Sequence, residues 1–239
     1  MAGRQTVTGT FYGLGVGPGD PELITLKAWR IISHVPVIAY PAANGGDSLA
    51  RRIAAPFIPE DVIEVAIPVP MQREREPAQA AYDDAAPVIA AHLDQGRDVA
   101  FLCEGDPLFY GSFAYLLTRL AKDYPTQIVP GITSITACAA AIGRPLAARN
   151  DILKVLPGTL NAARLKQEIA QSDAIAIMKV GQHFEKIRAV LNELDLAERA
   201  IIIEKATCDD EKITALCDVP EGERPYFSTI LIYKGGEAW

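Results

Sequence analysis

Two acidic side chains follow a buried-type run of apolar residues in the first half of this sequence. Glu104 and Asp106 flank Gly105 directly after residues 98–103 (DVAFLC), a run typical of a buried strand. Carboxylates at such a position can accept hydrogen bonds from a ligand's ammonium or hydroxyl groups, or take a proton. The glycine between them lets the backbone approach a ligand closely. These residues are therefore candidates for binding or catalysis, although Asp106 can also simply cap the turn before the next helix.

A glycine-rich loop, residues 13–20 (GLGVGPGD), lies between the first predicted strand and the first predicted helix. A dinucleotide-binding fold places G-x-G-x-x-G at this point, but the spacing fails in every frame, and the P-loop residues G-K-[ST] are absent. Asp20 at the helix entrance would also repel a pyrophosphate. A nicotinamide dehydrogenase is therefore disfavoured. The simplest alternative is a tight turn in which the glycines only permit unusual backbone angles.

The elements that must position these loops alternate between strands and helices, which predicts two α/β halves with a cleft between them. Pro125 and Pro130 mark the boundary, so we expect domains at residues 1–126 and 127–239. Strands are predicted at residues 10–16, 36–40, 98–103, 127–129, 153–156, 174–180, 200–204 and 227–233. Helices are predicted at residues 21–33, 47–55, 77–95, 112–123, 133–142, 162–172 and 182–194.

Composition excludes several classes of function. The formal net charge of −7 and the pI of about 5.1 disfavour nucleic-acid binding and docking to anionic membranes. Residues 1–10 lack a signal-peptide core, and no apolar run is long enough to span a membrane, so we expect a cytoplasmic protein. The histidines form no HExxH pattern and the cysteines no CxxC pair, so we expect no metal site and reduced thiols at Cys103, Cys138, Cys208 and Cys217.

Three blocks in a fixed order resemble the signature of the tetrapyrrole (corrin/porphyrin) methylase family. They are residues 13–28, in which Leu23, Thr25 and Ala28 follow the glycine-rich loop, residues 103–111 (CEGDPLFYG) and residues 130–134 (PGITS). The resemblance spans essentially the whole chain. It implies two α/β domains that bind S-adenosylmethionine in the cleft between them. The family's uroporphyrinogen enzymes usually carry glycine where Glu104 stands, which favours a member of the corrin pathway.

Further segments are most similar to family members that methylate carbon 20 of precorrin-2, giving precorrin-3A on the route to cobalamin. These segments include residues 48–53, 110–113, 150–158 and 178–181. The resemblance also implies a homodimer. A cobalt-loaded substrate stays open, although residues 147–151 look more like the metal-free branch. Another acceptor within the family stays open too, as does a non-catalytic sensor that binds a tetrapyrrole or S-adenosylmethionine.

The resemblance also implies which residues contact S-adenosylmethionine and its product S-adenosylhomocysteine. Met178 would pack against the adenine, although it can also simply fill the core. Thr133 would contact the methionine end, although it can also simply cap a helix. By position in the family's motifs, the expected contacts are Pro18, Glu104, Gly105, Asp106, Phe109, Thr133, Ser134, Met178 and Ala206.

Transfer of a methyl group from a sulfonium needs mainly alignment and exclusion of water. A base is needed only afterwards, to remove a proton from the product. Glu104 is the first candidate, with Tyr110 close to it in sequence. The substrate's acetate and propionate groups call for arginines. The candidates are Arg51, Arg52, Arg144 and Arg149, with Arg73 and Arg75 in a charge-alternating segment that can equally be a solvated loop.

Overall fold

The computed structural model describes residues 8–43, 46–69 and 75–235, except for the side chains of residues 75–78. The chain divides into two compact units, Met1–Thr133 and Ser134–Trp239. The boundary follows a strand, Thr126–Val129, that pairs with the first strand of the first unit, whereas the predicted boundary at 126/127 falls inside that strand. The candidate Arg73 and the side chain of Arg75 lie outside the described residues.

The first unit is a five-stranded parallel sheet with helices on both faces, in the strand order β3-β2-β4-β1-β5. The strands are β1 (Phe11–Gly15), β2 (Val37–Ala42), β3 (Ile63–Pro68), β4 (Val99–Cys103) and β5 (Thr126–Val129). The helices are α1 (Leu26–Ile32), α2 (Leu49–Ala54), α3 (Arg75–Asp94) and α4 (Phe113–Leu120).

The two faces of this sheet are covered by different helices. α1 and α2 pack on one face through residues such as Ile32 and Ile53, and α3 and α4 pack on the other through Ile89 and Phe113. β1 and β4 are neighbours, yet the chain leaves β1 toward α1 and leaves β4 toward α4. This is a topological switch point, and ligands of open α/β sheets bind beyond the carboxyl ends of the strands at such a point.

The first helix is shorter than predicted over residues 21–33. Asp20 accepts a hydrogen bond from the Glu22 amide at 2.8 Å, but it caps only a 3₁₀ turn, Pro21–Leu23. The chain then runs extended through Ile24, and Thr25 starts α1 by accepting a hydrogen bond from the Ala28 amide. The prediction of one continuous helix was wrong because two capping residues compete within five positions.

The second unit is a five-stranded mixed sheet in the order β6-β7-β10-β8-β9, and β10 runs antiparallel to both of its neighbours. The strands are β6 (Leu153–Pro157), β7 (Ala174–Met178), β8 (Ala200–Glu204), β9 (Lys212–Ala215) and β10 (Ser228–Tyr233). The helices are α5 (Ser134–Ala141), α6 (Ala162–Ala170) and α7 (Phe184–Glu193).

One face of the second sheet packs against α6 and α7 in a core that includes Phe184, Ile202 and Ile230. On the other face, α5 packs against β10, where the Cys138 and Thr229 side chains are hydrogen-bonded. Because β10 is antiparallel, the carboxyl ends of β7 and β8 lie at the same end of the sheet as Ser228. None of the helices in the described part of the chain is long and apolar enough to cross a membrane.

Candidate active site

Two of the predicted loops are joined by main-chain hydrogen bonds at the switch point. The Gly105 amide donates to the Gly17 carbonyl at 2.8 Å, and the Gly17 amide donates back to the Gly105 carbonyl at 3.4 Å. The Val16 amide also donates to the Cys103 carbonyl at 2.9 Å. An isolated antiparallel bridge between Gly17 and Gly105 therefore joins the loops that carry Pro18 and Glu104, just beyond the ends of the parallel strands β1 and β4.

The third predicted loop, after β5, packs against the other two through Gly131. A β-carbon on Gly131 would overlap the Gly105 carbonyl oxygen and lie 2.7 Å from the Gly15 α-carbon. A β-carbon on Gly15 would lie 2.5 Å from the Gly131 α-carbon. Only glycine fits at both positions, because the main chains of three loops are in direct contact. The sequence predicted this convergence of loops, and the contacts within the first unit confirm it.

Asp106 connects these loops through its side chain. One carboxylate oxygen accepts hydrogen bonds from the amides of Leu108 (2.9 Å) and Phe109 (3.1 Å). The other accepts from the Gly131 amide at 3.1 Å, across to the loop after β5. The carboxylate therefore caps its own turn and also ties that turn to the neighbouring loop. Direct contact of Asp106 with a ligand stays a prediction, and the described bonds give it a positioning role.

Glu104 lies between the loops and the start of α2. Its carboxylate accepts a hydrogen bond from the Ala50 amide at 3.2 Å. Burial raises the pKa of the Glu104 carboxyl group above its ordinary value, and hydrogen bonds from its own amide and that of Ala50 oppose the shift. A buried carboxyl group with a raised pKa is suited to proton transfer.

The remaining candidates of the first unit lie on the same loops. Phe109 is partly buried and packs edge-to-face on Tyr110, with 5.1 Å between the ring centroids. Tyr110 is 45% exposed and has a φ of 56°, in the left-handed region that non-glycine residues rarely adopt. The α-carbon of Thr133 lies 3.9 Å from the position of a β-carbon on Gly105. The first unit thus brings Pro18, Glu104, Gly105, Asp106, Phe109, Tyr110 and Thr133 together.

In the second unit, the candidates lie at one end of the sheet. Met178 ends β7 and Ala206 follows β8 by two residues, while Ser134 opens α5. The residues beside them are strained, since Lys179, Lys205 and Thr207 have φ values of 57°, 50° and 65°. Backbone strain of this kind clusters at functional sites. The sequence pattern did not reveal it, because none of these residues is of a type that signals positive φ.

The arginines of α2 both pair with acids. Arg51 binds Glu64 through two hydrogen bonds of 2.9 and 3.2 Å, and the Tyr40 hydroxyl donates to the same carboxylate at 2.6 Å. The Arg51 guanidinium holds the pKa of Glu64 below its ordinary value. Arg52 pairs with Asp47 at 2.9 Å, and both of these side chains are exposed. Arg51 is therefore the more firmly held of the two.

The arginine candidates of the second unit lie away from Met178. Arg144 stacks over the Tyr233 ring at 4.9 Å, and the Tyr233 hydroxyl donates to Asp151 at 3.1 Å, close to Arg149 in sequence. Tyr233 ends β10 at the far end of the sheet, about 17 Å along the strand from Ser228. Contacts of Arg144 and Arg149 with a substrate stay predictions that this geometry does not favour.

The structure describes Cys103, Cys138, Cys208 and Cys217, and these four residues form no disulfide bond. Burial raises the pKa of the Cys103 thiol well above its ordinary value, and it raises that of Cys138 to about 12, so neither is a ready nucleophile. Within the ranges that the structure describes, no group of three or more histidine, cysteine, aspartate or glutamate side chains is arranged to hold a metal ion.

The chain matches the family model of the Tetrapyrrole (Corrin/Porphyrin) Methylases over residues 10–218. The protein belongs to this family. Among its relatives, this tetrapyrrole methylase is 38% identical to the precorrin-2 C(20)-methyltransferase of a Sinorhizobium species, over 94% of this chain and 95% of that protein. It is 33% identical to the cobalt-precorrin-2 C(20)-methyltransferase of Salmonella typhimurium, over 97% of this chain and 99% of that one.

This tetrapyrrole methylase is also 41% identical to the cobalamin biosynthesis protein CobIJ of Mycobacterium tuberculosis, over 97% of its length but only 47% of CobIJ. The chain thus spans about half the length of that relative. Among solved structures, it is similar to the uroporphyrin-III C-methyl transferase of Thermus thermophilus complexed with S-adenyl homocysteine. The TM-score is 0.68 and the identity is 26%, over 93% of this chain and 92% of that one.

Proposed function

We propose that this tetrapyrrole methylase transfers a methyl group from S-adenosylmethionine to carbon 20 of precorrin-2, giving precorrin-3A and S-adenosylhomocysteine. The similarity to the precorrin-2 C(20)-methyltransferase over nearly the full length of both chains supports this substrate. The structural observation that carries the proposal is the contact of three glycine-containing loops beyond the ends of β4, β1 and β5. We propose this activity only for the present chain, which matches about half of CobIJ, and not for the rest of CobIJ.

The residues at the loop contact fit S-adenosylmethionine. Gly105 is only partly buried, and a β-carbon there would meet no atom closer than 3.8 Å, so its main chain leaves room at the switch point for a ligand that lies against the backbone. When bound, this molecule supplies a methyl group activated by its sulfonium. The residues proposed to hold it are Pro18, Glu104, Gly105, Asp106, Phe109 and Thr133 in the first unit, and Ser134, Met178 and Ala206 in the second.

Glu104 is proposed to take the proton that the methylated carbon must lose. Its burial and raised pKa suit a general base at neutral pH. Glu104→Gln keeps an oxygen that accepts from the Ala50 amide but cannot take a proton. We expect kcat to fall by about a hundredfold or more while the affinity for S-adenosylhomocysteine is retained. Steady-state kinetics measure kcat and calorimetric titration measures the affinity, and an unchanged kcat would exclude Glu104 as the base.

The same substitution has a pH-dependent effect on stability. Because burial raises the Glu104 pKa above its value in the unfolded chain, ionisation of this carboxyl destabilises the fold. This loss of folding free energy is absent at low pH, where the carboxyl group is protonated in both states. It grows as the pH rises from the pKa of Glu104 in the unfolded chain to its higher pKa in the folded protein. Glu104→Gln should therefore raise the melting temperature, and by more at pH 8 than at about pH 4. A lower melting temperature than that of the wild type at pH 8 would contradict this.

Arg52 is proposed to bind a carboxylate of the substrate. Its exposed pair with Asp47 contributes little stability and can exchange for another acid, whereas the pair of Arg51 with Glu64 is less exposed and Tyr40 also bonds Glu64. We expect Arg52→Ala to raise KM for precorrin-2 about tenfold without changing KM for S-adenosylmethionine. Arg164→Ala is the matched control, since Arg164 is similarly exposed and ion-paired, with Glu168. Equal KM values for precorrin-2 in both variants would remove Arg52 from the substrate site.

The activity itself is tested by turnover. Under anaerobic conditions, the protein with S-adenosylmethionine and precorrin-2 should release one S-adenosylhomocysteine for each singly methylated product found by mass spectrometry. The higher identity to the metal-free enzyme than to the cobalt enzyme supports precorrin-2 over its cobalt complex. A higher kcat/KM for the cobalt complex would reverse that preference. Binding of both ligands without turnover would instead indicate a sensor.

We also propose that the protein acts as a homodimer in the cytoplasm. Four cysteines that form no disulfide bond are typical of a reducing compartment. Light scattering coupled to size-exclusion chromatography measures the oligomeric state directly.

A further inference from the structure

A largely buried arginine, Arg224, touches two segments of the second unit that are proposed to contact S-adenosylmethionine. One segment follows Met178 at the end of β7, and the other runs from Glu204 at the end of β8 to Ala206. We propose that Arg224 and Glu204 form a positioning pair that holds these strand ends in place and so sets the affinity for S-adenosylmethionine. This inference rests on the proposed function, because it concerns the same binding site.

The pair is enclosed by the protein. The side chains of Arg224 and Glu204 are 13% and 10% exposed, and the guanidinium Nη1 lies 3.9 Å from the Glu204 Oε1. Within the described residues, this oxygen accepts no hydrogen bond. A carboxyl oxygen buried in this way depends on a nearby cation, because an unpaired buried charge is strongly unfavourable. Glu204 therefore anchors the end of β8 to Arg224.

Arg224 also anchors the segment after β7. Its guanidinium lies over the buried Phe184 ring, 5.4 Å from the centroid, at the start of α7. Its main-chain amide donates to the Gly181 carbonyl at 3.2 Å. Further along the same segment, the Phe227 carbonyl accepts a hydrogen bond from the Lys205 amide at 2.7 Å. Residues 224–227 thus bind both strand ends, and Arg224 is the side chain that reaches from one to the other.

The strand ends need such support because their backbone is strained. Lys179 directly follows Met178, and Lys205 and Thr207 flank Ala206, and all three have positive φ values. Non-glycine residues stay in this region only when their surroundings fix them there. Loss of the Arg224 side chain should let the two segments relax. Met178 and Ala206 would then move away from the positions that bind the cofactor.

The test uses Arg224→Gln, Arg224→Lys, Glu204→Gln and the Glu204→Gln/Arg224→Gln double variant in the full chain. We expect Arg224→Gln to weaken S-adenosylhomocysteine binding about tenfold and to raise KM for S-adenosylmethionine in parallel. KM for the tetrapyrrole should stay unchanged. Arg224→Lys should recover part of the affinity because it keeps the charge. The double variant should bind no more weakly than Arg224→Gln, because the two residues act as one unit.

Arg188→Gln is the matched control. The Arg188 guanidinium lies 5.4 Å from the same Phe184 ring and donates to the Val219 carbonyl, but it pairs with Glu185 instead of a strand end. We expect it to lower the melting temperature without changing S-adenosylhomocysteine affinity. The positioning role is wrong if Arg224→Gln binds as tightly as the wild type, or if Arg188→Gln weakens binding equally.

The failure of the proposed function is distinguishable from the failure of this inference. If the wild-type protein does not bind S-adenosylhomocysteine, the proposed function fails before any variant is compared. If Arg224→Gln does not fold in a thermal melt, Arg224→Lys and Glu204→Gln take its place. Unchanged affinity in both of these variants would then overturn the positioning role.

Discussion

Gly131→Ala should abolish tight binding of S-adenosylmethionine. A β-carbon at this position overlaps the Gly105 carbonyl oxygen and presses on the Gly15 main chain, so the loops after β1, β4 and β5 must move apart. Main-chain groups cannot rotate away as a flexible side chain does, so we expect a displacement on the order of 1 Å. Misplacement of this size reduces binding or rate about a hundredfold. Isothermal titration with S-adenosylhomocysteine measures the loss.

A second glycine separates this steric effect from the general effect of adding a methyl group. Gly143 has a φ of 61°, and a β-carbon there meets nothing within 4 Å. Gly143→Ala should therefore lose about 1 kcal/mol of stability through its backbone conformation alone. Its affinity for S-adenosylhomocysteine should match that of the wild type. If Gly131→Ala also binds like the wild type, the contact of three loops is not the cofactor site.

Asp106→Ala should have the second-largest effect, because it removes the acceptor of the Leu108 and Gly131 amides and leaves the Phe109 amide only a bond of 3.4 Å to the main-chain carbonyl of residue 106. Buried or partly buried amides that lose a partner cost about 1–3 kcal/mol each. We expect a clear drop in melting temperature together with at least about a tenfold loss of S-adenosylhomocysteine affinity. Thermal melts and calorimetry on the same preparation measure both.

Asp106→Asn is the informative companion substitution. Its carbonyl oxygen can still accept from the Leu108 and Phe109 amides, but its NH₂ group would face the Gly131 amide, donor against donor. The turn after β4 should therefore stay intact while its tie to the loop after β5 is broken. Weak binding by Asp106→Asn at a nearly normal melting temperature is the expected result. Normal binding by both variants would show that Asp106 serves neither the loops nor the ligand.

The loop contact was the part of the site that the sequence could predict. Glycines at 15, 17, 105 and 131 lie at or just beyond the ends of three strands, and the carboxyl ends of neighbouring parallel strands meet at one edge of a sheet. The structure confirms two α/β units and most of the predicted helices and strands. It also explains why glycine is required at Gly15 and Gly131, which loop composition alone did not show.

The two edge strands β3 and β9 were not predicted from the sequence. β3 does carry apolar residues at alternate positions, Ile63, Val65 and Ile67, which could have identified it, whereas β9 has only four residues, too few for a clear pattern.

Other features depend on contacts that no local pattern carries. The arginine candidates were chosen by charge alone, yet Arg51 is held by Glu64 and Arg144 lies at the far end of the second sheet. The buried pair of Glu204 and Arg224 joins residues twenty positions apart in the sequence. They come together because β8 pairs with β10, which places Glu204 opposite Ser228, four residues after Arg224.

Methylation of carbon 20 is tested most directly with S-adenosylmethionine carrying a ¹³C-labelled methyl group. After anaerobic incubation with precorrin-2, the NMR spectrum of the product should contain a single new labelled methyl resonance, correlated to carbon 20 of the ring. A labelled methyl on any other ring carbon would contradict the assignment of the reaction. Tight binding of S-adenosylhomocysteine with no transfer of label would contradict catalysis itself.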